Sequence, residues 1–177
     1  MRIIGGRFKG RRFQAPKRIP ARPTTDYARE SLFNILNGMI SWDETKMLDL
    51  FAGIGTISLE AVSRGVQSVT YVDANHHAIR WIKEAMQILE VDNCTALKLP
   101  AESFLERNET PFDLIFADPP YDYPAYPSLI DGCLKNIAMN GGMFILEHRR
   151  DKSFKEHPNF AQERTYGEVR FTFFKPL

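Results

Sequence analysis

The residues with the clearest chemical potential are Asp118-Pro119-Pro120-Tyr121, which end the apolar run FDLIFAD. An aromatic exocyclic amine is a poor nucleophile because its lone pair is delocalised into the ring. The Asp118 carboxylate and the Pro119 carbonyl can accept hydrogen bonds from both N–H groups of such an amine, and Pro120 brings no competing N–H. Tyr121 can stack on the ring. The motif predicts a clamp for a flat, amine-bearing base; the plainer alternative is a strand end with a tight turn.

A glycine turn, DLFAGIG at residues 49–55, follows the first apolar strand of the chain. Ligands of open α/β sheets bind beyond the carboxyl ends of the strands, where such turns lie. A dinucleotide fingerprint calls for glycine at position 58, which is Ser58 here. The acid Asp49 suits a ligand that carries an ammonium and a sulfonium. The turn therefore favours S-adenosylmethionine over NAD.

Two further acids follow the next strands of the predicted sheet. Asp73 ends the strand SVTYVD, where a carboxylate can accept hydrogen bonds from ribose hydroxyls. The alternative role of Asp73 is to cap the helix that follows. Glu102, or the backbone of Ala101, lies after the third strand, where an adenine amine can be read.

The charge of the chain is concentrated at its amino terminus. The net charge is +1, yet residues 1–25 hold eight basic residues and no acid, so this arm carries +8 and the remainder −7. A basic arm on a near-neutral protein predicts a polyanionic partner, with a solvated tail as the alternative. Its basic residues are Arg2, Arg7, Lys9, Arg11, Arg12, Lys17, Arg18 and Arg22.

Several classes of protein are disfavoured by composition. Cys94 and Cys133 form no CxxC pair, and none of the four histidines has a cysteine or carboxylate at metal-ligand spacing. We therefore expect no disulfide framework and no metal site. No apolar run approaches the length of a membrane span, and the start MRIIGGRFKG lacks the core of a signal peptide. These features predict a cytoplasmic protein without a membrane partner.

Strand and helix signals alternate from Lys46 onward, which predicts a parallel sheet covered by helices on both faces. Five such strands are followed by a hairpin around Gly167, which adds an antiparallel edge strand to a seven-stranded sheet. Ahead of this body, RIIGGRF and GRRFQAP predict a short hairpin, and RPTTDYARESLFNILNG predicts a helix capped by Thr24 or Thr25. We divide the chain into a basic extension, residues 1–40, and a catalytic body, residues 41–177, within one compact unit.

The chain resembles the bacterial family of small-subunit (16S) ribosomal RNA guanine-N2 methyltransferases, the RsmD-like enzymes. Five segments match the family in order along nearly the whole chain: RIIGGRFKGRRF, RPTTDYARESLFNIL, LDLFAGIGTISLEAVSRG, VTYVDAN and FADPPYD. The DPPY motif is shared with enzymes that methylate adenine N6 or cytosine N4. The amino-terminal RIIGG and RPTTD segments are the features that point to the ribosomal RNA branch.

The resemblance implies a class I S-adenosylmethionine-dependent methyltransferase fold, a Rossmann-like three-layer α/β architecture, and a role for each matching residue. Asp118, Pro119, Pro120 and Tyr121 would hold the guanine. The cofactor-binding residues would be Asp49, Phe51, Ala52, Gly53, Gly55, Asp73, Ala74, Asn75, Ala101, Glu102 and Asp118. The residues beside the RNA or the mouth of the active site would be Arg2, Arg7, Lys9, Arg11, Arg12, Arg22, Thr24, Thr25 and Arg29.

The leading hypothesis is therefore methyl transfer from S-adenosylmethionine to the N2 amine of a guanine in ribosomal RNA, within the small subunit or its assembly intermediate. A second hypothesis keeps the chemistry and moves it to adenine N6 of DNA or RNA. A third is a nucleotide-dependent oxidoreductase, and a fourth is a non-catalytic RNA-binding module. The missing third glycine disfavours the oxidoreductase, and a binding module would have no use for the DPPY clamp.

Overall fold

The structure, a computed structural model, describes residues 1–16, 18–19 and 24–177. Helices and strands alternate along most of this part of the chain, as predicted. The helices are α1 (Asp26–Asn37), α2 (Thr56–Ser63), α3 (His76–Leu89), α4 (Ala101–Arg107) and α5 (Tyr126–Asn136), with a short 3-10 turn at Trp42–Glu44. The strands are β1 (Lys46–Leu50), β2 (Ser68–Asp73), β3 (Cys94–Lys98), β4 (Leu114–Ala117), β5 (Met143–Arg149), β6 (Phe160–Tyr166) and β7 (Val169–Phe174).

The strands form one seven-stranded sheet in the order β3-β2-β1-β4-β5-β7-β6. The first five strands pair in parallel, and β7 pairs antiparallel with both β5 and β6. The predicted mostly parallel sheet is confirmed. The antiparallel strand, β7, lies one position inside the edge, because the hairpin folds β6 outside it.

The two faces of the sheet are covered by different helices. Along β4, Leu114 and Phe116 belong to one apolar cluster and Ile115 and Ala117 to the other, because successive side chains of a strand alternate between faces. The first cluster contains residues of α1, α2 and α3, and the second contains residues of α4 and α5. We call these the α3 face and the α5 face. This three-layer arrangement is the predicted fold class.

The amino-terminal extension packs on the α3 face and shares its core. Ile3, Phe13 and Leu32 belong to the same buried cluster as the sheet residues of that face. The predicted hairpin is present in reduced form: Arg2 and Arg12 make a single antiparallel bridge, and the Ile3 N–H donates to the Arg11 carbonyl at 2.9 Å. The extension is thus held by burial as well as by hydrogen bonds.

The tip of this hairpin is fixed to the last turn of α2. The Arg7 N–H donates to the Ser63 carbonyl at 2.7 Å, and the Phe8 N–H donates to the Ser63 hydroxyl at 2.9 Å. Gly6 makes the close approach possible, since a Cβ there would lie 1.9 Å from the Ser63 carbonyl oxygen and its φ is +72°. This position admits glycine alone without a shift of the hairpin.

The cap predicted for α1 is confirmed at Thr25, whose side chain accepts a hydrogen bond from the Ala28 N–H. Leu32 and Leu36 form the buried stripe of this helix. Among the described residues, none of the helices has the length and apolar character needed to cross a membrane.

Candidate active site

A cavity of about 420 Å³ lies at the carboxyl ends of β1, β2 and β4. The order of the sheet reverses here, because β1 is flanked by β2 on one side and by β4 on the other. This is the place where open α/β sheets bind ligands. Its lining residues are Ile19, Phe51, Ala52, Gly53, Ile54, Thr56, Val72, Asp73, Ala74, Asn75, Leu99, Pro100, Ala101, Glu102, Asp118, Pro119 and Pro120.

The glycine turn forms the floor of this cavity and is held in an unusual conformation. Phe51, Gly53 and Gly55 all have positive φ, at 56°, 55° and 71°. The side chain of Phe51 is bulky, and such a residue adopts this region rarely and at a cost. Strain of this kind is typical of functional turns. Gly55 lies outside the lining; it caps α2, and a Cβ on it would meet the Ile82 side chain at 2.5 Å.

Asp73 ties the turn to the end of β2. Its Oδ2 accepts from the Gly53 N–H at 2.8 Å, and its Oδ1 accepts from the Asn75 N–H at 2.7 Å. Each carboxylate oxygen can accept more than one hydrogen bond, so Asp73 retains capacity for ribose hydroxyls. The alternative role of Asp73 as the cap of α3 is wrong, since that cap is Asn75, which accepts from the His77 N–H at 2.9 Å.

Asp49 lies beneath the cavity and does not line it. Its side chain is 2% exposed, and its Oδ2 accepts from both the N–H and the hydroxyl of Ser58. Burial raises the pKa of Asp49 to about 7, opposed by the hydrogen bonds from Ser58. Ser58, the residue that breaks the dinucleotide fingerprint, is thus the partner of this acid. Direct contact between Asp49 and a cofactor stays a prediction.

Glu102 lines the cavity and is held by Tyr123. The Tyr123 hydroxyl donates a short hydrogen bond to the Glu102 carboxylate, and the Tyr123 ring packs edge-on against Phe51 at 5.4 Å between centroids. One side chain therefore connects the loop after β4 with both the glycine turn and the predicted adenine position. Tyr123 was not predicted from the sequence, although its place two residues after Tyr121 in the run YDY was the signal available.

The predicted clamp is divided between the cavity and its rim. Asp118, Pro119 and Pro120 line the cavity, whereas Tyr121 lies outside it with the Arg149 guanidinium 5.4 Å above its ring. The Asp118 N–H donates to the Leu50 carbonyl at 3.4 Å, which joins the exits of β4 and β1. The structure thus brings the start of the clamp to the glycine turn. Stacking of Tyr121 on a base stays a prediction.

The residues predicted to contact RNA fall into two groups. Arg2, Arg7, Lys9, Arg11, Arg12 and Thr25 are exposed. Thr24 is buried and donates to the Glu147 carboxylate at 2.9 Å, while the buried Arg29 donates to the Arg2 carbonyl and to Asp26 at 2.6 and 2.9 Å. The expected RNA contact of Thr24 and Arg29 does not fit their burial. Arg22 lies outside the described residues.

The remaining lining residues were not predicted, and they differ in the signal that the sequence offered for them. Ile54 and Thr56 belong to the glycine turn and were within reach of the motif. Val72 and Leu99 are ordinary apolar residues at strand ends. Ile19 comes from the extension, far from the cavity in sequence, and reaches it only because the extension packs along the α3 face. Within residues 1–16, 18–19 and 24–177, no group of histidines, cysteines and acids is arranged to hold a metal ion.

Comparison with known proteins agrees with this geometry. A family model described as "Conserved hypothetical protein 95" matches residues 1–175. The chain is 34% identical to "Putative rRNA methyltransferase YlbH" of Bacillus subtilis over 99% of this chain and 98% of that protein. It is 36% identical to "Ribosomal RNA small subunit methyltransferase D" of Escherichia coli over 68% of this chain and 60% of that protein.

The fold has close counterparts among solved structures. That of "Putative methyltransferase yhhF" from Escherichia coli superposes with a TM-score of 0.84 at 29% identity, covering 100% of this chain and 99% of the other. The architecture is that of the class I S-adenosylmethionine-dependent methyltransferases. Because the family model matches residues 1–175, almost the full length of this chain, the chain belongs to the "Conserved hypothetical protein 95" family, that of the ribosomal RNA small-subunit methyltransferase D proteins.

Proposed function

We propose that this protein transfers a methyl group from S-adenosylmethionine to the exocyclic N2 amine of a guanine in small-subunit ribosomal RNA. One observation carries the proposal: a single cavity is lined both by the glycine turn with Asp73 and by Asp118, Pro119 and Pro120. A methyl donor held by the first group and an amine held by the second would meet in one enclosure. The names of the family relatives support ribosomal RNA as the substrate.

The lining fits S-adenosylmethionine. Asp73 offers carboxylate oxygens at the end of β2 for a ribose, and Glu102 offers an acceptor for an adenine amine. The walls between them, Phe51, Val72 and Leu99, are apolar and suit the flat ring. When bound, the sulfonium supplies an activated methyl group. The buried carboxyl of Asp49 below the turn favours a cation in this neighbourhood.

The residues of the clamp act by position and electrostatics. The Asp118 carboxylate and the Pro119 carbonyl would accept the two N–H groups of the guanine amine and point its lone pair at the methyl group. The amine becomes acidic only as the new N–C bond forms, so Asp118 need not remove a proton beforehand. The prolines keep the clamp rigid, because each fixes its own φ.

The basic hairpin provides the second half of the proposal, contact with the RNA backbone. Its exposed arginines and lysine can neutralise phosphates, which makes binding dependent on salt. The target guanine must leave its stack to enter the cavity, and this costs least for a nucleotide in a loop. Assays on naked small-subunit RNA, on assembly intermediates and on complete subunits will determine which form is the substrate.

The clamp is tested by the substitution Asp118→Ala. We expect kcat to fall by about a hundred- to a thousandfold, because one preorganised acceptor for the reacting amine is lost. Methylation of ribosomal RNA by the purified protein, followed by nucleoside mass spectrometry, measures the product. Asp131→Asn, an exposed acid on α5, is the matched control and should methylate at the wild-type rate. An Asp118→Ala enzyme with wild-type kcat would contradict this role of the clamp.

The same measurement distinguishes the target base. Ribosomal RNA from cells that lack the gene should lose one 2-methylguanosine, and the purified protein should restore it. An unchanged level of 2-methylguanosine would refute the guanine proposal. Appearance of N6-methyladenine in RNA or duplex DNA, with no methylguanosine, would instead support the adenine hypothesis.

A further inference from the structure

A second cavity of about 540 Å³ lies beside the clamp on the α5 face. It is formed by the loop that follows Tyr121 and by the segment that leaves β5. Tyr123 connects it to the first cavity, since Tyr123 lines the second one and its hydroxyl donates to Glu102, which lines the first. The proposed methyl transfer leaves this cavity without a role. Its lining residues are Asp122, Tyr123, Pro124, Tyr126, Pro127, Lys152, Ser153 and Phe154.

Three aromatic rings pack in series along this cavity. Tyr123 and Tyr126 pack edge to face, with centroids 5.6 Å apart and planes at 89°. Tyr126 and Phe154 follow at 5.5 Å and 41°. Tyr126 itself is buried, so the surface left open to a ligand belongs to Tyr123, Phe154 and the two prolines. A rigid apolar surface of this kind accepts the face of a nucleic acid base of any sequence.

A cation completes the site. The Lys152 ammonium lies 5.2 Å from the Tyr126 ring centroid and, within the described part of the chain, forms no ion pair. Lys155, three residues later, differs because it pairs with Glu163 at 3.1 Å. The one acid in the lining, Asp122, is exposed. Aromatic rings beside an available cation are the combination with which proteins bind single-stranded nucleic acid.

We propose that the second cavity binds the nucleotide next to the target guanine, with its base against the apolar surface of Tyr123 and Phe154 and its phosphate at Lys152. The inference rests on the proposed function, because it requires a single RNA strand that delivers a base to the clamp. Continuity favours this occupant: Asp122 and Tyr123 directly follow the clamp residue Tyr121, so consecutive residues of one loop would hold consecutive nucleotides. The hairpin lies on the other face, so the RNA would cross the carboxyl edge of the sheet.

The test combines changes in the RNA with changes in the protein. Short RNA loops that contain the target guanine are prepared intact, or with an abasic site at the 5′ or at the 3′ neighbour. For the wild-type enzyme, we expect an abasic site on one side alone to raise KM for RNA by about five- to a hundredfold, the range of one base–aromatic stack. Phe154→Leu should raise KM for the intact RNA and leave KM for the abasic RNA unchanged.

Lys152→Gln tests the phosphate contact. We expect the dependence of log Kd for RNA on log salt to lose about 0.7 in slope, the share of one phosphate contact with a single strand. The matched control is Lys135→Gln, an exposed lysine near the end of α5, which should keep the slope. Binding of S-adenosylmethionine and the melting temperature are measured for every variant, so that a misfolded protein is recognised. If Phe154→Leu does not fold, Phe154→Met takes its place.

Each outcome decides a separate question. If the wild-type enzyme forms no methylguanosine on any ribosomal RNA substrate, the proposed function fails. If the enzyme methylates guanine but an abasic site raises KM by the same factor in the wild type and in Phe154→Leu, the second cavity does not bind the neighbouring nucleotide. An equal rise in KM for abasic sites at the 5′ and at the 3′ neighbour overturns the inference as well. The inference is supported if Phe154→Leu abolishes the rise in KM caused by an abasic site at one neighbour alone, and if Lys152→Gln reduces the slope of log Kd against log salt.

Discussion

At the scale of single residues, the candidate active site is organised by acids whose oxygens already accept hydrogen bonds inside the fold. Asp73 accepts two backbone N–H groups, Glu102 accepts the Tyr123 hydroxyl, and Asp49 accepts both donors of Ser58. Such bonds fix each carboxylate before a ligand arrives. A preorganised site of this kind loses less free energy in ordering its groups when it binds.

The buried acid Asp49 makes stability depend on pH. Its pKa is about 7 in the folded protein and about 3.9 in an unfolded chain, so the unfolded state releases its proton first as pH rises. Stability should therefore fall between pH 4 and pH 7 and level off above, a loss of about 4 kcal/mol from this group. Asp49→Asn keeps an acceptor for Ser58 without the charge. The free energy of unfolding of this variant should therefore lack the fall between pH 4 and pH 7 that comes from Asp49.

Denaturant unfolding from pH 4 to pH 8 measures this difference. The curves of the wild type and Asp49→Asn should diverge as pH rises, with the variant relatively more stable at pH 8. Ser58→Ala supplies the opposite change, because it removes the hydroxyl that supports the ionised acid, so the loss should become larger and extend to higher pH. Parallel curves for the wild type and Asp49→Asn would show that Asp49 does not titrate in this range.

At the scale of elements, α2 connects the basic extension to the glycine turn. Its first residue, Thr56, lines the cavity, and its last residue, Ser63, holds the hairpin tip. The rise of a helix places these ends about 10 Å apart. Between them the buried Glu60 accepts from the Ile4 and Gly5 N–H groups at 2.8 and 2.7 Å and pairs with Arg64.

Substitution of Glu60 should therefore loosen the hairpin. Glu60→Gln replaces one acceptor oxygen with an N–H donor, which leaves a backbone N–H unsatisfied, and we expect a loss of about 1–3 kcal/mol in the free energy of unfolding. The control is Glu84→Gln on α3, which removes an exposed pair with Arg80 of the same spacing and should cost about 0.5 kcal/mol or less. Equal losses in the two variants would mean that the hairpin is not held by Glu60.

The elements were also the level that the sequence predicted best. Local patterns were sufficient for the strands of the sheet, for the helices and for the Thr25 cap, because each depends on residues close in the chain. The partners of Asp49 and of Thr24 were beyond such patterns. In the sequence Ser58 stands out only as the residue where a dinucleotide fingerprint has glycine. Glu147 lies 123 residues from Thr24, whose hydroxyl donates to it. Contacts of this range are determined by packing, which periodicity does not encode.

At the scale of the whole molecule, basic groups lie on both faces of the sheet. The hairpin lies on the α3 face, with the guanidiniums of Arg7 and Arg11 4.4 and 5.7 Å from the Phe8 ring centroid. Lys152 lies on the α5 face, beside Tyr126. The cavity with the clamp lies between them. Under the proposed function, an RNA that extends from the hairpin through the cavity to Lys152 would meet positive charge before and after the target base.

This arrangement predicts how affinity for RNA depends on salt. Of the five exposed basic residues of the hairpin, Arg2 lies 3.9 Å from Asp26, and the other four are replaced with glutamine. This should reduce the slope of log Kd against log salt by about 0.7–0.9 for each residue that contacts a phosphate, while Kd for S-adenosylmethionine stays unchanged. The four are Arg7, Lys9, Arg11 and Arg12. A charge-matched control replaces four exposed bases elsewhere: Lys98, Arg107, Lys135 and Lys175.

Fluorescence anisotropy with a ribosomal RNA fragment from about 50 to about 300 mM salt measures both slopes. The hairpin variant should lose the larger part of the wild-type slope, and the control variant should keep it, although both carry the same net charge. That comparison separates a local contact from the field of the whole protein, because the field depends on net charge whereas counterion release depends on the phosphates touched. If both variants lose slope equally, the RNA is attracted by net charge and the hairpin is not a docking surface.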